Sequence, residues 1–229
     1  MQVNRTENKL LINSRETARL VRRLGQLMPL DPHCAGQQSY PVRSLYFDTV
    51  TDRCCAEKED GLLVHEKLRL RIYSPGDTLV KLESKRKVGD AQVKKTMLIS
   101  TVKAQRLMDG DFSWLLTEQT PLGFYFYRKF SQGCRPKAII EYDRLSFCLN
   151  FNNTRITFDS NLRSTESCLD LFREELLMHP ILSPELTVME IKFNNFLPDY
   201  LKQALRDLRQ SPGSFSKYLS GRSFYRNMI

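Results

Sequence analysis

The stretch Leu63-Val-His-Glu-Lys-Leu-Arg-Leu-Arg-Ile-Tyr73 constrains the fold more than any other part of this chain. Side chains of an extended strand point alternately to opposite faces, so His65, Lys67, Arg69 and Arg71 share one face while Leu68, Leu70 and Ile72 occupy the other. A helix would scatter those cations around its circumference; a strand gathers them. The pattern recurs from Thr78 to Val88, where Lys81, Glu83, Lys85 and Lys87 project together with Val80 and Leu82 behind. Gly89-Asp90 then reads as a hairpin turn into a strand over 92–100, which predicts an antiparallel pair.

Similar alternation marks strands at Arg5–Ile12, Val42–Asp48, Lys137–Cys148, Thr154–Asp159 and Leu186–Asn194. Between them lie helical signals. Asn13 with Glu16 three residues on is a capping box, and Leu20, Leu24, Leu27 and Met28 follow at helical spacing, predicting about four turns up to Pro29. Asp31 to Tyr40 reads as a loop. Thr101–Met108 reads as a short helix stopped by Gly110, and 112–130 as an aromatic-rich helical or mixed segment. Pro198 opens a helix with Leu201, Ala204, Leu205 and Leu208 on one face, expected to end before Ser211-Pro-Gly213. Residues 160–184 give no clear period, and the tail from Ser214 is short and basic. No linker or repeat divides the chain, so the expectation is one α+β domain over residues 1–229, built on an antiparallel sheet.

Composition narrows the function. With 35 Lys+Arg against 26 Asp+Glu the chain carries a formal charge of +9, which points to a polyanionic partner: nucleic acid, an anionic membrane surface or phosphate chains. At 41% hydrophobic residues it has material for a core, which excludes disorder as the main state. No apolar run approaches the roughly 18–20 residues that span a bilayer, and Arg5, Glu7 and Lys9 replace an apolar signal core, so a cytoplasmic chain without a transmembrane segment is expected. Six cysteines form no Cys-x-x-Cys pair and three histidines are far apart, which disfavours a zinc site.

The chemistry resides in charged strands. Glu-x-Lys occurs at Glu7/Lys9, Glu83/Lys85 and Glu190/Lys192, each setting a carboxylate beside an ammonium on one strand face. One such pair is an ordinary solvated face. Three, with Arg69/Arg71, Lys81/Lys87 and Arg144/Arg155, would line a channel for phosphates if the sheet closed into a barrel. The few carboxylates would serve Mg²⁺ or Mn²⁺, which takes one or two carboxylates plus phosphate oxygens. Neither a Gly-x-x-x-x-Gly-Lys-Ser/Thr loop nor a Gly-x-Gly-x-x-Gly turn is present, so a triphosphate would have to be held by side chains. No nucleophile–base pair stands out. The run Phe124-Tyr-Phe-Tyr127 beside Arg128 and Lys129 could stack bases, though core packing explains it better and no specific nucleic acid is expected.

Arg5-Thr-Glu-Asn-Lys9, Arg43-Ser-Leu-Tyr-Phe-Asp-Thr49, Lys67-Leu-Arg-Leu-Arg71, Leu82-Glu-Ser-Lys-Arg-Lys87, Tyr142-Asp-Arg144, Arg155-Ile-Thr-Phe-Asp159, Met189-Glu-Ile-Lys192 and Phe215-Ser-Lys-Tyr218, in that order, resemble the VTC (vacuolar transporter chaperone) domain. This is the polyphosphate polymerase branch of the triphosphate tunnel metalloenzyme (CYTH-like) superfamily. The resemblance implies an antiparallel β-barrel tunnel with flanking helices, and a metal-dependent transferase that passes the ATP γ-phosphate to a growing polyphosphate. It implies that Lys9, Arg69, Arg71, Lys85, Arg144 and Arg155 act on the reacting phosphates, that Lys58, Lys94 and Lys217 bind phosphate, and that Glu190 holds Mn²⁺ or Mg²⁺. ATP and polyphosphate would be the partners. The superfamily pattern Glu-x-Glu-x-Lys has Arg5 in place of its first Glu here, which favours polymerisation or binding over hydrolysis. Ser214 stands where fungal members carry a further lysine. The alternatives are an inorganic or nucleoside triphosphatase and a non-catalytic polyphosphate-binding module.

Overall fold

The computed structural model describes residues 5–34, 37–89, 91–206, 208 and 215–226. Its strands are β1 (Arg5–Asn13), β2 (Tyr40–Asp48), β3 (Val64–Ile72), β4 (Leu79–Val88), β5 (Ala91–Ser100), β6 (Arg135–Leu149), β7 (Thr154–Thr165), β8 (His179–Pro180) and β9 (Leu186–Asn194). Its helices are α1 (Ser14–Leu24), α2 (Arg53–Glu59), α3 (Thr101–Met108), α4 (Trp114–Thr117), α5 (Pro121–Phe130), α6 (Asp199–Leu205) and α7 (Lys217–Arg226). The fold is α+β with antiparallel pairing in each described register. Among the described residues the strand order β1-β9-β7-β6-β2-β3-β4-β5 is an open path. This corrects the closed barrel that the resemblance implies: strand alternation fixes which face a side chain takes, and says nothing about whether the two end strands pair.

The chain divides into two compact units, each with its own core. One comprises the described residues of Met1–Pro41, Tyr142–Arg163 and Pro180–Ser220, the other those of Val42–Glu141, Ser164–His179 and Gly221–Ile229. In the first unit β1 and β9 pair so that Lys9 faces Glu190 and Glu7 faces Lys192, while β7 sets Thr157 opposite Glu190 and Arg155 opposite Lys192. The alternate residues Ile12, Ile156, Phe158, Met189 and Ile191 turn into the core with Leu20, Leu24 and Leu201. Period-2 alternation thus gives each of these strands one apolar and one charged face. The capping box forms as expected: Glu16 N–H donates to Asn13 Oδ1 at 2.9 Å, and Asn13 N–H donates to Glu16 Oε2 at 3.2 Å. The helix ends sooner than its apolar spacing predicts. α1 stops at Leu24, and Met28 reaches the core from the following turn while Leu27 stays 37% exposed. α6 likewise ends at Leu205, short of the predicted stop; Ser211-Pro-Gly213 and Ser214 lie outside the described residues.

In the second unit β3, β4 and β5 form a meander that buries Leu68, Leu70, Ile72, Val80 and Leu82. Val88 pairs with Ala91 across the expected hairpin turn, of which Asp90 lies outside the described residues. The aromatic segment resolves into two short helices. Thr120 Oγ1 accepts from Gly123 N–H at 3.0 Å and starts α5, and only glycine fits there, because a Cβ at Gly123 would stand 2.6 Å from the Leu115 carbonyl oxygen. Of the four-aromatic run, Phe126 is buried in the core and Phe124 is 53% exposed. The stretch after Thr165, unreadable by period, packs Leu171 into the core and is tied by buried Arg43, which pairs with Glu141 and donates to the carbonyls of Leu171 and Arg173. The basic tail forms α7, an element the sequence pattern did not announce. No helix among the described residues is long and apolar enough to cross a membrane.

Candidate functional site

The charged face of the first unit centres on Glu190, whose side chain is 7% exposed. Lys192 Nζ lies 2.7 Å from Glu190 Oε2, and Lys9 Nζ lies 3.5 Å from Oε1 and 3.1 Å from Glu7 Oε1. Burial alone would raise the Glu190 pKa. Lys192, a hydrogen bond with Glu7, and Lys9 overcome that and hold it well below the usual carboxylate range. Burial opposes the charge on both lysines. On Lys9 the two carboxylates prevail and its pKa rises, whereas on Lys192 burial prevails and its pKa falls.

A second knot on the same unit is built on Asp159, fully buried. Arg144 grips it bidentately, Nε to Oδ1 at 2.6 Å and Nη2 to Oδ2 at 2.7 Å, and Lys217 Nζ approaches Oδ2 at 2.8 Å. Against burial, Lys217 and Arg144 push the Asp159 pKa down to about 2. Both cations also lie over the Tyr142 ring, at 5.2 and 4.9 Å from its centroid. Arg155 is tied elsewhere: Nη2 meets Asp31 Oδ2 at 2.6 Å and Tyr40 Oη at 3.0 Å, and Nε donates to Ser146 Oγ at 2.9 Å.

The charged face of the second unit is organised by Glu83, whose side chain is 2% exposed. Arg69 Nη2 contacts it at 2.7 Å, Arg71 Nε at 3.9 Å, and Lys94 forms an ion pair with its other oxygen. Arg71 Nε also donates to Ser44 Oγ at 3.3 Å. Against burial, Arg69 and Arg71 lead in drawing the Glu83 pKa down to about 2. Arg69 Nη1 donates to Tyr46 Oη at 3.0 Å, and Arg69 and Arg71 lower the buried Tyr46 phenol to about 8 although burial opposes this. Lys67, Lys85 and Lys94 stand opposite one another across β3, β4 and β5.

Of the sequence-predicted residues, the first unit therefore brings Lys9 and Glu190 into contact and joins Arg144 to Lys217 through Asp159, with Arg155 on its own carboxylate. The second unit joins Arg69, Arg71 and Lys94 through Glu83 and sets Lys85 beside Lys94. Lys58 sits on α2 rather than on a strand, where its charge helps burial lower the His65 pKa. Sequence reasoning did not assign Glu7, Glu83, Asp159, Thr157 and Lys192. The Glu-x-Lys repeat already carried the signal for Glu7, Glu83 and Lys192. Asp159 and Thr157 share a strand face with Arg155, so alternation alone could have found them.

Among the described residues no group of three or more His, Cys, Asp or Glu is placed to hold a metal ion. A divalent cation of the Mg²⁺ class does not need such a cage, since it takes one or two carboxylates and fills its shell with water and phosphate oxygens. Glu190 and Glu7 supply that pair, and the buried Thr157 hydroxyl opposite Glu190 has no hydrogen-bond partner among the described residues. This hard-oxygen donor set fits a Mg²⁺ or Mn²⁺ ion that is completed by substrate.

The antiparallel sheet with charged strand faces and flanking helices, without a glycine-rich phosphate loop in the sequence, defines the class. Its fold is that of a candidate adenylate cyclase from Bacillus halodurans, 14% identical over 92% of both chains with a TM-score of 0.50. The PH1819 protein of Pyrococcus horikoshii OT3 is 15% identical over 96% of this chain and 99% of that one, with a TM-score of 0.47. No curated protein matches the chain. The family model of the VTC domain matches residues 4–225, and the chain belongs to that family.

Proposed function

We propose that the chain is an ATP-dependent polyphosphate polymerase, residues 1–229 forming one functional domain, and that its charged strand faces bind the phosphates of the reaction. Membership of the VTC family supports a phosphate-handling role. The observation that carries the reading is Glu190, a nearly buried carboxylate held between Lys9 and Lys192 on a strand face. That set can hold a metal and phosphate together and contains no group suited to covalent catalysis.

The chemistry needs none. A terminal oxygen of the polyphosphate attacks the γ-phosphorus of ATP, the bond from that phosphorus to the β–γ bridging oxygen breaks, and ADP leaves with the electron pair. Catalysis then reduces to alignment and charge neutralisation. Arg69, Arg71, Lys85 and Lys94 bind phosphate oxygens in competition with Glu83, with Lys58 as an outlying cation. Lys9, Arg144, Arg155 and Lys217, now held by carboxylates, turn to phosphate in the same way. Glu190 and Glu7 would hold Mg²⁺ or Mn²⁺, which when bound supplies further neutralisation of phosphate charge.

Purified protein given ATP and Mn²⁺ is expected to release ADP and accumulate long-chain polyphosphate, read by gel and by nucleotide chromatography. Orthophosphate as the sole product would replace this reading with a hydrolase. Intact ATP with every divalent metal, together with retained polyphosphate binding, would replace it with a binding module.

A further inference from the structure

Helix α1 uses only part of its circumference in the core of the first unit. Leu20 and Leu24 are buried, whereas Arg15, Arg19 and Arg22 are exposed and, at spacings of four and three, lie along one side. These arginines belong to neither charged strand face. Beyond them the C-terminal end of the helix borders a groove of about 550 Å³ whose lining includes Arg23, Leu27, Tyr200 and Arg206. Arg23 Nη1 donates to the Ala204 carbonyl at 2.8 Å, which fixes α1 against α6 there.

Exposed aromatic rings occur in α6 and just before it in the chain. Tyr200 is 44% exposed, and Phe196, four residues earlier, is 54% exposed and packs edge-on against the equally open Phe151 at 5.7 Å. Asn152 Nδ2 holds the Phe196 carbonyl at 2.8 Å, so the aromatic pair is a fixed feature of the surface. In α1, and in α6 with the Arg206 that follows it, six cations stand against two carboxylates, Glu16 and Asp199. Both carboxylates are engaged, Glu16 in the capping box and Asp199 with Lys202 at 2.8 Å.

A polyphosphate chain has no apolar or aromatic part, so it would use the cations and ignore the rings. A bilayer interface uses both, with basic side chains at anionic headgroups and aromatic rings in the layer beneath. We propose that this part of the first unit docks peripherally on an anionic phospholipid surface, with the α1 arginines and Arg206 on the headgroups and Phe151 and Phe196 inserted between them. The proposal is independent of the polymerase reading, since none of these residues belongs to the charged strand faces.

The test is co-sedimentation of the full chain with vesicles of mixed phosphatidylglycerol and phosphatidylcholine, and with phosphatidylcholine alone. Binding is expected only to the anionic vesicles. Arg15→Gln with Arg22→Gln and Arg206→Gln should weaken it roughly a hundredfold, at about fivefold for each charge removed. Phe151→Ser with Phe196→Ser should weaken it roughly tenfold with an unchanged circular dichroism spectrum. A Phe196→Trp chain should shift its emission to the blue on anionic vesicles, whereas the chain with only the buried Trp114 should not. Equal binding to phosphatidylcholine, or binding to neither, overturns the proposal. Displacement by soluble polyphosphate with no effect of the Phe substitutions assigns the surface to a soluble polyanion instead. Self-association in the ultracentrifuge that those substitutions abolish assigns it to a second copy of the chain.

Discussion

On the β3–β4 face of the second unit one carboxylate, Glu83, serves Arg69, Arg71 and Lys94, with Lys67 and Lys85 alongside. On the first unit Glu7, Glu190 and Asp159 are interleaved with Lys9, Lys192, Arg144 and Lys217. The residue types are the same, and the ratio decides the chemistry. A face with more cations than acids gains most from an incoming polyanion, because phosphate oxygens relieve like-charge crowding. A balanced face gains less from charge, yet it can hold a metal and keep each cation in a defined place. On the proposed function the second face would retain a phosphate chain and the first would align the reacting phosphates.

The sharpest way to break that division is Glu190→Gln. On the proposed function it should lower ATP-dependent synthesis by about a thousandfold or more, while polyphosphate retention on a filter stays equal or rises slightly. Full turnover in this variant would remove the metal assignment and with it the contrast between the faces. Asp159→Asn probes the same face through stability. Removing one partner from a buried ion pair costs about 3–5 kcal/mol, to be measured by urea unfolding near neutral pH. The pH dependence follows from the same group. Its pKa falls from 3.8 to about 2 on folding, so the ionised carboxylate stabilises the native state above pH 3.8, and that contribution is lost as pH falls through 2. Glu83 behaves likewise from 4.5 down to about 2, and of these two acid-sensitive contributions only that of Asp159 should vanish in the Asp159→Asn chain.

What the sequence made legible was local. Period-2 alternation located β9 to the residue and placed Arg69, Arg71, Lys85 and Glu190 on charged faces, and Asn13 with Glu16 marked the start of α1. It failed where a structure depends on a distant partner. The segment after Thr165 has no period of its own, and distant partners hold it: Arg43, over a hundred residues earlier, by its carbonyls, and the core through Leu171. Alternation puts Asp159 on the charged face, but its ion pair with Lys217, nearly sixty residues further along the chain, is not encoded locally. The strand path is open for a related reason, since pairing between end strands is a long-range property that no window of sequence encodes.

Smaller effects are expected on the cationic face. Arg71→Ala or Lys85→Ala removes one charge-assisted phosphate contact of roughly 1.5–3 kcal/mol, which weakens polyphosphate binding by about tenfold to a hundredfold and lowers its salt dependence. Losses confined to synthesis, with binding intact, would move these residues to the role given to the first face.

Tyr46 gives the least perturbing readout of that face. Burial would raise its phenol, but Arg69 and Arg71 bring it down to about 8 from an ordinary 10.0. Titration at the phenolate absorbance band should therefore show an early step near pH 8, and Tyr46→Phe should remove it. Because the folded value is the lower one, ionisation of Tyr46 adds stability between pH 8 and 10, so the variant should lose that increment in the same interval. Adding tripolyphosphate supplies the discriminating step. If phosphate binds where Arg69 and Glu83 meet, it neutralises the arginines that stabilise the phenolate, and the early step should move back toward 10. An early step that stays in place at saturating tripolyphosphate would show that the second face is not where the chain is held.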